Sequence, residues 1–267
     1  MLKKRVLTAV IGIPVLIAAI WFDEPLQWFT ILAIVWGLLA VLEFYRMAEV
    51  SKALALTSFG VLWTFFFILH PYVEYENLGP LLLLSAVTLS LVLLVIIPQK
   101  EKAFTNWAWM MAGILYVGFL LSYLVALRIE AGREWLYLAF FATFGSDTAA
   151  YFIGRAFGRH KMAPRISPNK TWEGAIAGIV GAVIISLLFT LDTPLQLPVH
   201  WWEAILLGVL ISAFGQVGDL VESLLKRNTG NKESGKLMPG HGGLLDRMDS
   251  IVFAGVVVYL YYTFVVL

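Results

Sequence analysis

Cysteine is absent from the 267 residues, and histidine occurs only four times. The first absence excludes disulfides, thiol catalysis and Cys-ligated zinc or iron–sulfur centres. Charge is equally thin: Asp, Glu, Lys and Arg make up 14% of the chain, and 19 Lys+Arg against 18 Asp+Glu leave a net charge of +1. No excess of positive charge points to a nucleic-acid partner, and none is expected. What is present is apolar. Hydrophobic residues form 60% of the chain, against about 45–50% in soluble domains, so the bilayer is its solvent. At roughly 30 residues per spanning helix and connection, the length holds about nine spans and no sizeable soluble domain.

Apolar runs bounded by charges, prolines and aromatic residues place spans near 5–22, 27–45, 52–69, 80–98, 106–127, 135–157, 172–191, 203–225 and 250–267. Continuous runs of this length fit helices, whereas a membrane barrel requires about ten-residue alternating segments. The expected fold is all-α, a polytopic integral membrane protein with a single membrane domain. The first run follows Lys3, Lys4 and Arg5; it is longer than a signal-peptide core and lacks a small-residue cleavage site before Trp21, so it reads as a retained span. With a cytoplasmic amino terminus, seventeen Lys and Arg fall inside and only Arg128 and Arg133 outside. That bias supports an odd number of spans. Residues 1–135 read as apolar scaffold, with lipid access as a further use, and 136–267 carry the motifs. No internal repeat is visible. Gly154/Gly158, Gly174/Gly178 and Ala177/Gly181 stand four apart, a spacing that serves close helix packing.

Three constellations carry chemistry. In the first, Asp219, Glu222, Ser223 and Lys226 lie within one third of a helix circumference at about 100° per residue, forming a polar stripe at the end of a span. An intramembrane carboxylate faces a cavity, a cation or a counter-charge; a self-neutralising Asp219–Lys226 pair is the plainer alternative. The second is the segment Asn228–Asp249. Gly235, Gly240, Gly242 and Gly243 there allow an anion-binding nest, with Lys232, Lys236, His241 and Arg247 as donors to phosphate. Asp246 and Asp249 follow; Asp249 or Ser250 also suits a helix cap. Acids beside a polyphosphate nest repel it unless a cation intervenes, and Mg²⁺ uses one or two carboxylates plus substrate phosphates. Asp219 and Asp246 are therefore expected as metal ligands. The third begins at Gly145-Ser146-Asp147-Thr148, where Asp147 is a functional candidate or an ion-pair partner of Arg155. It continues through Ser167-Pro168-Asn169-Lys170-Thr171, read as a rigid turn presenting an amide, an ammonium and hydroxyls to a headgroup. The basic residues of this loop serve equally as topology determinants.

The spaced run from Ser223, Lys226 and Arg227 through Lys232, Glu233, Pro239, His241, Gly242 and Gly243 to Asp246, Arg247 and Asp249 resembles the signature of phosphatidate cytidylyltransferases, also called CDP-diacylglycerol synthases. Gly145–Tyr151 and Ser167–Gly174 resemble that family's upstream motifs. Motifs thus cover about 143–250, and the remainder matches only as hydrophobic helices. Two positions depart from the pattern: Glu233 stands where Asp is usual, and Met238 where Leu, Ile or Phe is usual. The resemblance implies that CTP and phosphatidate give CDP-diacylglycerol and pyrophosphate, with Mg²⁺ required and a second cation allowed. It also implies roles. Asp219, Asp246 and Asp249 would serve the metal; Lys226, Arg227, Lys232 and Arg247 the departing charge; Ser223 and His241 phosphate hydrogen bonding; and Asn169, Lys170, Asp147, Gly242 and Gly243 substrate binding. The expected setting is a bacterial inner membrane with the site at the cytoplasmic face and a homodimer as the assembly. Two other classes compete. A CTP-dependent lipid kinase would need a base near the acceptor hydroxyl, with Asp147 or Asp249 the candidates, and a secondary transporter would place its site at the midplane between broken helices.

Overall fold

The computed structural model describes residues 2–22, 27–50, 53–73, 75, 77–96, 102–235 and 242–267, the side chains of 2–9 excepted. Besides a short 3₁₀ turn at Leu245–Arg247, nine longer helices occur among them. These are α1 (Leu2–Trp21), α2 (Trp28–Met47), α3 (Leu54–Tyr72), α4 (Leu78–Ile96), α5 (Ala103–Ala131), α6 (Arg133–Phe157), α7 (Trp172–Leu188), α8 (Trp201–Asn228) and α9 (Asp249–Val266). Seven are long and apolar enough to cross a membrane, and the chain is an all-α integral membrane protein. Of the nine expected spans, α7 falls short of that measure with 17 residues, while α1 is 20 residues long with its side chains described only over Val10–Trp21. A helix of 17 residues rises roughly 25 Å, less than a hydrocarbon core of about 30 Å.

The chain forms two compact units, one of residues 1–129 with 229–246 and the other of 130–228 with 247–267. The glycine-rich segment groups with the amino-terminal helices. In the first unit Tyr45 of α2 is fully buried and donates to the Met110 carbonyl at 2.9 Å. Gly60 of α3 and Gly113 of α5 lie against its ring, where a side chain on either would overlap it. Small residues here let three helices close on one aromatic. Mid-span indoles find acceptors in the same way. Trp36 donates to the Leu244 carbonyl at 3.1 Å, and Trp63 to Ser85 Oγ at 3.1 Å.

In the second unit the small-residue pairs read from sequence do pack helices. A Cβ on Gly154 would come 3.3 Å from Gly174 Cα, and one on Gly181 would come 2.7 Å from the Gly145 carbonyl, so α6 and α7 meet backbone to backbone. These faces are used inside the chain. A polar thread crosses the helices: Ser146 and Ser212 hydroxyls are 2.7 Å apart, and Gln216 Nε2 donates to Ser212 Oγ at 2.9 Å and to the Ala175 carbonyl at 3.1 Å. Between α6 and α7 lies a two-stranded antiparallel hairpin, β1 (Lys161–Ala163) and β2 (Ser167–Thr171). The Ser-Pro-Asn-Lys-Thr stretch, expected as a turn, is therefore a strand, and the turn is Pro164–Ile166. Pro168 is tolerated because a two-stranded hairpin consists only of edges. Thr171 then caps α7, its Oγ1 accepting Gly174 N–H at 3.2 Å.

Candidate active site

Within the second unit Asp147 of α6, Asp219 of α8 and Asp249 at the start of α9 feel one another's charge. Gly218 makes the α8–α9 approach, since a Cβ there would overlap the Asp249 carbonyl. Asp147 and Asp219 line one cavity of about 770 Å³, with Tyr151, Arg155, Asn169, Lys170 and Gln216. The hairpin delivers the compensating charge. Lys170 Nζ lies 2.8 Å from Asp219 Oδ2 and 3.3 Å from the Gln216 carbonyl, while Arg247 acts on Asp147 and Lys226 on Asp249. Ser223 Oγ donates to Asp219 Oδ1 at 3.4 Å. Asp249 Oδ1 accepts Ser250 N–H at 2.8 Å, but the cap position of the helix is Met248, with no side-chain cap bond, so the alternative of Asp249 or Ser250 as the cap is not what forms.

Neither self-neutralising pair weighed from sequence forms among the described residues. Lys226 pairs with Glu222, leaving Asp219 to Lys170. Arg155 donates to Tyr151 Oη at 2.9 Å, leaving Asp147 open to the cavity. Arg227 Nε donates to the Ile166 carbonyl at 3.2 Å and so ties α8 to the hairpin turn. No three acidic or histidine side chains among the described residues stand close enough to enclose a metal alone. Asp147, Asp219 and Asp249, from three helices, are the residues that could hold a cation completing its shell with substrate oxygens and water, as Mg²⁺ does, in competition with the Lys170 ammonium at Asp219.

The remaining signature residues belong to the first unit and are described there. Asp246 Oδ2 accepts Ser234 N–H at 3.1 Å, Ser234 Oγ at 2.9 Å and Gly243 N–H at 2.8 Å. This oxygen organises the segment, and the Gly243 amide expected for phosphate is engaged by it. Gly242 has φ +85°, a conformation that favours glycine. Lys232 and Glu233 line a cavity of about 610 Å³ in this unit with Glu43 and Arg46. Asp219 and Asp246, expected as joint metal ligands, fall in different units. His241, Lys236, Met238, Pro239 and Gly240 lie outside the described residues. Sequence reasoning passed over Glu43, although a carboxylate inside an apolar run is itself a signal. It also passed over Gln216 and the Tyr151–Arg155 pair.

The chain matches the cytidylyltransferase family over residues 3–265. It is similar to the phosphatidate cytidylyltransferase of Bacillus subtilis (strain 168), 32% identical over 267 residues that cover 98% of this chain and 97% of the relative. The phosphatidate cytidylyltransferase of Staphylococcus haemolyticus is 33% identical, covering 94% of this chain and 95% of the relative. That of Brucella suis is 34% identical, covering 97% and 93%. With the match running nearly end to end and through both units, the chain belongs to the cytidylyltransferase family.

Proposed function

We propose that the chain is a phosphatidate cytidylyltransferase, transferring CMP from CTP to phosphatidate to give CDP-diacylglycerol and pyrophosphate. The proposal includes Mg²⁺ dependence and a site at the cytoplasmic face of a bacterial inner membrane. The names of its relatives support the reaction. The observation that carries the site is the cavity where Asp147, Asp219 and Lys170 meet, with Asp249 in electrostatic range. Orientation rests on the distribution of Lys and Arg between the loops.

A phosphate oxygen of the lipid attacks the α-phosphorus of CTP in line, and the bond to the bridging oxygen of pyrophosphate breaks. A phosphomonoester has a second pKa of about 6, so it arrives ionised and needs no strong base. Catalysis is then positioning and charge neutralisation. Asn169 and Lys170 on β2 orient the triphosphate from the hairpin side, and Arg227 fixes where the hairpin turn stands. Mg²⁺ held by Asp219, with Asp147 and Asp249, would neutralise the charge that builds as pyrophosphate leaves.

Purified protein in micelles containing phosphatidate should place label from α-³²P-CTP in the lipid, with stoichiometric pyrophosphate, only when Mg²⁺ is present. Lipid label from γ-³²P-CTP with an alcohol acceptor, and none from α-³²P-CTP, would move the chain to the kinase class. Glu233→Asp is expected to match or exceed the starting rate, because it restores the usual family residue on a side chain that lines an open cavity. A large loss would show a segment built around the longer acid.

A further inference from the structure

Glu43 is 2% exposed, in a helix whose buried neighbours are almost all apolar. A carboxylate in such a place costs free energy unless it is bonded, and among the described residues its bonds go to one segment. Oε2 accepts Leu245 N–H at 3.1 Å and lies 3.4 Å from Ser234 Oγ. Oε1 is buried and meets no hydrogen-bond donor among the described residues. Gly235 and Gly243 pack so closely on this carboxylate that a Cβ on either would overlap it. Ser234 and Gly243 in turn donate to Asp246 Oδ2. Both described ends of the signature segment, up to Gly235 and from Gly242, are thus gathered on a single side chain.

The rest of α2 supports this. Trp36 Nε1 donates to the Leu244 carbonyl at 3.1 Å, and Asn231 Nδ2 reaches the Met47 carbonyl at 3.5 Å. At about 100° per residue, positions 36, 43 and 47 fall within about 40° of one another, so one stripe of the helix serves the segment. A Cβ at 235 would meet the carboxylate first, and one at 243 would meet Ser234 Oγ and then the carboxylate.

We infer that Glu43 is a positioning residue for cytidylyl transfer: its buried carboxylate holds the two ends of the segment carrying Lys232, Glu233, Gly242 and Asp246, and touches neither substrate. The inference rests on the function proposed above. It is tested on the full chain in phosphatidate micelles with Glu43→Ala, Glu43→Gln, Gly235→Ala and the double variant Glu43→Ala/Gly235→Ala, reading kcat, KM for CTP and local amide hydrogen exchange. Glu43→Ala should lower kcat about 10- to 100-fold, as loss of an outer partner does, with KM for CTP nearly unchanged. Exchange should rise in 229–235 and 242–246 and stay at the wild-type level in α6–α8. Glu43→Gln, which keeps an acceptor for the Leu245 amide, should recover most of kcat. Gly235→Ala should be harmful alone and add little to Glu43→Ala, where its Cβ has room.

Wild-type kcat and exchange in Glu43→Ala, additive losses in the double variant, or faster exchange throughout the chain would overturn the inference. If Glu43→Ala does not fold, Gly235→Ala decides, since its Cβ first strikes Glu43: a local rise in exchange is expected, and wild-type exchange overturns the inference. If wild-type protein transfers no label from α-³²P-CTP, the functional reading fails. The exchange measurements still decide whether Glu43 holds the segment.

Discussion

Asp219→Asn is expected to lower the rate of CMP transfer by about 10³-fold while leaving the protein folded in detergent. The substitution is nearly isosteric and removes charge alone. Asp219 is the acid on which the others converge: it acts on both Asp147 and Asp249, faces the cavity, and holds Lys170 at 2.8 Å. Removing its charge relieves repulsion among three like-charged groups, so the thermal midpoint should hold or rise. This is the usual pattern when a site is strained for function. Initial rates with α-³²P-CTP across a Mg²⁺ titration, beside an unfolding curve in the same detergent, separate the two effects. Activity within about tenfold of wild type would remove Asp219 from the residues proposed to hold Mg²⁺.

The helices were legible because each is a long apolar run closed by charge or proline, and the bilayer allows little else. The ion pairs were less so, yet a rule was available. Asp219–Lys226 and Asp147–Arg155 are seven and eight residues apart, whereas the contacts formed, Glu222–Lys226 and Tyr151–Arg155, are four apart. Neighbours at i, i+4 on one helix face win because they need no bending of long side chains. The hairpin read as a turn because five residues containing proline resemble one. Only its pairing with Lys161–Ala163 makes Ser167–Thr171 a strand. The hold of α2 on the signature segment left little local trace. Trp36 and Leu244, or Glu43 and Leu245, stand about two hundred residues apart in sequence, and the only hint was one acid in an apolar helix.

Lys170→Met should lower kcat about 10²-fold while shifting half-maximal Mg²⁺ activation to lower concentration. The two changes have one cause. Lys170 is largely buried, with 20% of its side chain exposed, and its ammonium is divided between Asp219 Oδ2 and the Gln216 carbonyl. A divalent cation that binds Asp219 competes with that ammonium. Methionine fills the same volume without charge, so the acids are left with less positive charge nearby and hold the cation more tightly. In the proposed site the same change would also remove a donor from the triphosphate, and that loss is expected in kcat. Lys170→Arg should fall between the two, because a planar guanidinium keeps the charge but cannot place one nitrogen as the ammonium does. A fall in kcat together with weaker Mg²⁺ activation would mean that Lys170 helps to build the cation site. Unchanged kcat would take it out of the site altogether.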